Sequence, residues 1–126
     1  MPILIYFGKS KRKGKKKVMI FRNPTMNIHF GSDISKTYVE GASNNTRVNY
    51  LKRHKPRENW DKINAGSASA MILWGKSKNI NTNLKTYIKK FGIKDNRKKY
   101  PKKYVPNVLS DGDKIKQIKS IEKGVD

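Results

Sequence analysis

Apolar positions come in short runs along this chain, separated by polar and cationic stretches. Residues 2–7 are rich in β-branched and aromatic side chains and end at Gly8, which predicts one strand or an apolar peg. Residues 18–30 place Met26, Ile28 and Phe30 in alternation, and Asn23-Pro24 supplies a turn signal before them. That pattern predicts a hairpin with strands near 17–22 and 25–30. Gly31, Ser32 and Asp33 end it, and a polar stretch without a clear period follows through Tyr38 to Asn45.

Helical punctuation takes over in the middle. Asn44 or Asn45 can cap a short helix over 46–54 with Val48 and Leu51 on one face, and Pro56 stops it. Asn64 can cap a second helix over 65–74, which puts small residues first and large apolar ones last, before Gly75. Leu84, Tyr87, Ile88 and Phe91 stand at i, i+3, i+4 and i+7, so a third helix is predicted there, with Asn81 or Thr82 as its cap and Gly92 as its stop. Beyond Gly92, Pro101 and Pro106 interrupt a lysine-rich stretch that reads as an extended arm. Ser110 and Asp113 then give a capping signal for a short helix bearing Ile115, Ile118 and Ile121, too short to stand without a surface to lie on. The expected class is α+β: a small single domain, an N-terminal β-hairpin packed on about three short helices. Residues 1–17 are expected to form an apolar strand and basic arm, 18–92 the body, and 93–126 a second basic arm.

Composition sharpens this picture. The 126 residues hold 30 Lys+Arg against 9 Asp+Glu, a net charge of +21. Residues 1–17 carry +7 with no acid, and seven of the nine residues from 9 to 17 are cations. Such a block repels itself and needs solvent or an anionic partner. No apolar run approaches a membrane span, and the first apolar stretch has its charge after it rather than before it, so neither a spanning protein nor a conventional signal peptide is expected. The absence of cysteine excludes disulfides, thiolate zinc sites and thiol nucleophiles.

Little here suggests catalysis. The best local constellation is His54, Glu58 and Asp61, whose spacing would gather three metal ligands on a helix, but Pro56 interrupts that helix and a solvated connector is the simpler expectation. Gly8, Gly14 and Gly31 lack the spacing of a phosphate loop. Alternation aims His29 away from the face of Ile28 and Phe30. Trp60 and Trp74, with Tyr50 and Tyr87, are expected to form the aromatic centre of a small core rather than a base-stacking platform. No enzyme activity, cofactor, metal or small-molecule substrate is expected. Lysine outnumbers arginine and no base-reading signature is present, so diffuse electrostatics is expected over specific readout.

One arrangement of residues is distinctive: His29-Phe30-Gly31, then Arg47-x-x-Tyr50-Leu51-x-Arg53-His54-x-x-Arg57-Glu58-x-Trp60, then Ala65-Gly66-x-x-Ser69-x-x-Ile72-Leu73-Trp74. In this order the chain resembles a family of short basic proteins of large icosahedral double-stranded DNA viruses of the chlorella-virus type, over about half its length. The lysine block, the connector from Tyr38 to Thr46 and everything after Gly92 lie outside the shared pattern. The resemblance implies a virion setting, on the inner face of the capsid, for a protein made in the host cell; it transfers no catalytic residue.

Two functions then stand as expectations. The first is a minor capsid protein whose arms staple neighbouring subunits, with the major capsid protein and other minor capsid proteins as partners. The second is a packaged protein that binds or condenses viral DNA without sequence preference. Inner-membrane headgroups are a third anionic surface that lysines can meet. Partner contact is expected from the strand Ile3, Leu4, Ile5, Tyr6 and Phe7. It is also expected from the block Lys9, Lys11, Arg12, Lys13, Lys15, Lys16 and Lys17. In the tail the candidates are Lys98, Lys99, Lys102 and Lys103, with the stripe Ile115, Ile118 and Ile121.

Overall fold

The computed structural model describes residues 1–100, and the class is α+β as expected. The described residues divide into two compact units: 1–29 with 93–100, and Phe30–Gly92. The tail candidates Lys102 and Lys103, the capping signal at Ser110 and the isoleucine stripe lie outside the described residues.

The first unit is built on a sheet in the order β3-β2-β1-β4. Strand β1, Ile3–Lys9, runs antiparallel to β2, Lys15–Arg22, with Ile3 opposite Arg22 and Lys9 opposite Lys17. A bulge between Leu4 and Tyr6 shifts the register by one residue. Strand β3, Met26–Ser32, follows the Asn23-Pro24 turn. Two-residue β4, Lys94–Asp95, lies parallel to Ile3 and Leu4, and Asn96 N–H donates to the Leu4 carbonyl at 2.9 Å. Val18, Met19, Ile20 and Phe21 are all fully buried, and since successive residues of a strand face opposite sides, both faces of β2 are covered. On one face Val18 and Ile20 cluster with Ile5 and Tyr100, with Ile3 and Tyr6 against them.

Two expectations about arms are corrected here. Residues 1–17 are not an arm: the run at 2–7 is an inner strand paired on both sides, and the lysine block is its turn into β2. Pairing with β1 and continuity with the apolar run 18–21 recruit Lys15, Lys16 and Lys17 into a strand that their charge alone would oppose. Nor does an arm begin at 93, because Ile93 and Tyr100 are buried and the chain between them supplies β4 and a single helical turn, Arg97–Lys99. Two buried anchors seven positions apart hold that segment to the first unit.

The second unit is helical. Helix α1, Asn44–His54, is capped by Ser43, whose hydroxyl accepts from Thr46 N–H at 3.1 Å. Helix α2, Ala65–Ala68, has Asn64 as its cap and runs on as a widened π turn over Ser69–Leu73. Helix α3, Ile80–Lys90, is capped by Asn79 rather than Asn81 or Thr82, because Asn79 Oδ1 accepts from the N–H groups of both. Leu84 and Tyr87 face inward and Gly92, in the left-handed conformation, ends the helix as the spacing indicated. Ile72, Leu73 and Trp74 join them in the core. The Asn83 amide, almost fully buried, donates to the carbonyls of Ile72 and Ser77 and accepts from Ser77 N–H, which satisfies the polar groups where α2 ends.

Among the described residues no helix is long and apolar enough to cross a membrane.

Candidate functional site

The lysine block becomes a hairpin tip. Ser10 N–H donates to the Lys16 carbonyl and Lys15 N–H to the Arg12 carbonyl, closing the turn between β1 and β2. Ser10, nearly buried, anchors it: its hydroxyl accepts from Arg12 N–H at 3.0 Å and meets His29 Nδ1 at 2.7 Å. His29 therefore orders the tip from β3, a use that alternation alone did not reveal. Lys9, Lys11, Arg12, Lys13 and Lys15 are exposed and enter no ion pair among the described residues. Lys9 stands directly across from Lys17, a like-charge cross-strand pair that weakens the sheet unless an anion sits between them. Lys17 relieves part of this by placing its ammonium 6.0 Å from the Phe7 ring.

Beside β1, Ile5, Tyr6, Phe7, Asp95, Arg97 and Tyr100 line a groove of about 580 Å³ with Lys98 at its edge. Arg97 clamps Asp95 with two hydrogen bonds, 2.9 and 2.8 Å, and this charged hydrogen bonding holds the Asp95 carboxyl below its usual range. Lys98 and Lys99 are exposed on the turn that follows.

The distinctive residues of the middle segment form a knot in the second unit. Arg47, Tyr50, Leu51 and His54 fall at i, i+3, i+4 and i+7 and occupy one face of α1. The Tyr50 ring is stacked between His54, 4.0 Å away, and Trp74, 4.3 Å away and nearly parallel. Its hydroxyl shares a 2.8 Å hydrogen bond with Ser69, and burial pushes that phenol above its ordinary range, so it stays protonated at neutral pH. Arg47 Nε donates to the carbonyls of Trp74 and Gly75, covering the free end of the α2 turn, while Arg47 and Lys78 both lie over the Tyr38 ring. Glu58 ties the next corner. Its Oε2 accepts from His54 Nδ1 at 2.9 Å and its Oε1 from the Trp60 indole at 2.8 Å. A Cβ on Gly66 would stand 3.0 Å from the Glu58 carboxyl carbon, so the glycine makes room for that carboxylate.

Of the three residues whose spacing was weighed as a metal set, His54 and Glu58 do meet, but Asp61 is exposed and stays apart. No metal-competent group of three ligands occurs among the described residues. The aromatic centre is also redrawn. Trp74 and Tyr50 stack together, Tyr87 pairs with Phe91 instead, and Trp60 is only half-buried because Glu58 holds its indole N–H at the surface. Replacing Glu58 by alanine is expected to cost the second unit about 1 kcal/mol, since it removes two partly exposed hydrogen bonds, from the indole and the imidazole. Urea melts followed by tryptophan fluorescence check this against Asp61→Ala, expected within about 0.5 kcal/mol of wild type.

The model of a family of unknown function, DUF5754, matches residues 5–54, less than half of the chain. The matched span runs from β1 through the basic tip to the end of α1 and includes Arg47, Tyr50 and His54, while their partners Ser69, Trp74 and Glu58 lie beyond it. No curated protein and no solved structure matches.

Proposed function

We propose that this chain is a non-enzymatic structural protein of a viral particle that holds duplex DNA, without sequence preference, by its phosphates. The observation that carries this reading is the β1–β2 tip, where seven cations in nine residues are held on a closed turn and the strand ends beside it, with no carboxylate among them. A charge cluster that weakens its own strand pairing is retained where a polyanion meets it. The viral setting rests on the resemblance carried by Arg47 to Trp74. Preference for DNA over a capsid staple follows from the corrected N-terminus: a short folded tip cannot reach across neighbouring subunits as an extended arm would, but it presents exposed cations close together in sequence, as a polyanion requires.

The test replaces Lys11, Arg12, Lys13 and Lys15 by glutamine and follows binding to a 20-bp duplex by fluorescence anisotropy between 50 and 300 mM NaCl. Each lost phosphate contact reduces the log–log salt slope by about 0.9, so four should reduce it by about 3.6 and weaken binding about a thousand-fold at 0.15 M salt. An unchanged slope, or no salt-dependent binding by wild type, overturns the reading.

A minor capsid protein is the second reading, favoured by the groove beside β1. Its lining of Ile5, Tyr6 and Phe7 and the exposed Lys98 suit an extended segment of a neighbouring subunit that carries an acid. Under that reading the tip variant binds duplex like wild type and still enters the particle, whereas Lys98→Glu, which changes the groove, fails to enter it.

A further inference from the structure

The segment that follows the first part of the distinctive pattern holds a second cluster of cations. Lys52, Arg53, Lys55 and Arg57 fall within six residues that contain no acid. Lys52 and Arg53 belong to the last turn of α1, and Lys55 and Arg57 to the single turn Lys55–Arg57 that continues it. All four are exposed.

Ordinary helix stability does not account for them. The negative end of a helix dipole, about half a charge, is satisfied by one or two cations, and here there are four. Arg53 and Arg57 also stand four positions apart, a like-charge spacing that weakens a helix. The nearest acid in sequence is Glu58, and both of its oxygens are engaged: Oε2 by His54 and Oε1 by Trp60. The knot thus turns this carboxylate toward His54 and Trp60, and none of the four cations forms an ion pair with it. Pro56 fixes the backbone in the middle of the run, so the four cations are presented on a stiff turn that loses little freedom on binding.

We infer that this end of α1 is a second phosphate-binding surface, in a different unit from the hairpin tip, and that one chain bridges two DNA duplexes. The inference rests on the proposed DNA-binding function and adds to it a valency. Bridging by a single chain compacts long DNA at low occupancy, because a second segment of the same molecule is captured at the effective concentration set by the DNA that joins it to the first.

The experiment uses the full chain at concentrations where it sediments as a monomer. A biotinylated 20-bp duplex is immobilised, protein is added, and capture of a second, fluorescent 20-bp duplex is measured at 0.1 M NaCl. Wild type is expected to capture it. The variant Lys52→Gln, Arg53→Gln, Lys55→Gln, Arg57→Gln is expected to bind the immobilised duplex but to capture less than a tenth as much of the second. A milder variant, Lys55→Gln with Arg57→Gln, leaves α1 untouched and is expected to fall between them, so a loss of capture there is not a loss of the helix. Capture by the fourfold variant equal to wild type overturns the second surface. Wild type that binds one duplex and never captures another overturns the bridging while leaving the proposed function intact; wild type that binds no duplex removes both.

Discussion

Trp74→Ala is expected to destabilise the helical unit by about 3–5 kcal/mol, the range for removing a large buried aromatic from a packed site. Trp74 is 4 % exposed, and its ring supplies one side of the stack that holds Tyr50. With it gone, Tyr50 loses a contact worth about 0.5–1.5 kcal/mol beyond simple burial, and the cavity lies between α1 and the end of α2. A unit of this size carries little reserve, so a loss of 3 kcal/mol should lower its melting temperature by about 12 °C or more. Trp74→Phe keeps a ring against Tyr50 and should cost less than half as much. Calorimetry with near-ultraviolet circular dichroism of the two variants checks the order. A loss below about 1 kcal/mol for the alanine variant would show that the stack does not hold the unit together.

Gly75→Ala should cost about 3 kcal/mol or more for the opposite reason, an added methyl with nowhere to go. A Cβ at this buried glycine would lie 2.3 Å from the Met71 carbonyl oxygen and 2.6 Å from Asn83 Cγ, where ordinary contacts begin near 3.4 Å. Neither neighbour can yield cheaply. The Met71 carbonyl belongs to the π turn, and the Asn83 amide is locked by hydrogen bonds to Ile72 and Ser77. Displacing Gly75 also moves the two carbonyls that Arg47 grips. Gly92→Ala makes a useful contrast: nothing lies within 4 Å of its added Cβ, so only the positive φ is strained and the expected loss is about 1 kcal/mol. Equal losses for the two variants in urea titrations would refute the crowding argument.

How much of this was legible beforehand depends on what each element is made of. Helix α3 was plain because Leu84, Tyr87, Ile88 and Phe91 repeat at helical spacing, and α2 was plain because Asn64 is a side-chain cap that acts locally. The strand β4 was illegible, since two residues, Lys94 and Asp95, carry no period and are strand only because Pro2 and Leu4 offer carbonyls to pair with. The lysine block misled for a related reason: charge density argues for an arm, whereas the partner strand that makes it a hairpin tip is visible only in three dimensions. In the candidate site the cations themselves could be counted from the sequence. The anchoring of the tip by Ser10 and His29, nineteen positions apart, could not. The i, i+3, i+4, i+7 stripe of Arg47, Tyr50, Leu51 and His54 was present in the sequence as a helical signal, masked because only Leu51 among them is aliphatic.

The division of the chain has a consequence for the order in which it can be built. The helical unit is one uninterrupted stretch, Phe30–Gly92, whereas the sheet unit is split around it. Topologically the helical unit is a guest inserted into a host whose last described strand is made more than eighty residues after its first. During synthesis from the N-terminus, all the chain the guest needs is available before β4 exists to cover Ile3 and Leu4. The host then finishes late, sealed by two residues that have almost no strand character of their own. Until they arrive, one flank of β1 is an open edge beside a dense cluster of positive charge. That charge is itself a deterrent to strand pairing between chains, so the same lysines that await a phosphate backbone also guard the unfinished sheet.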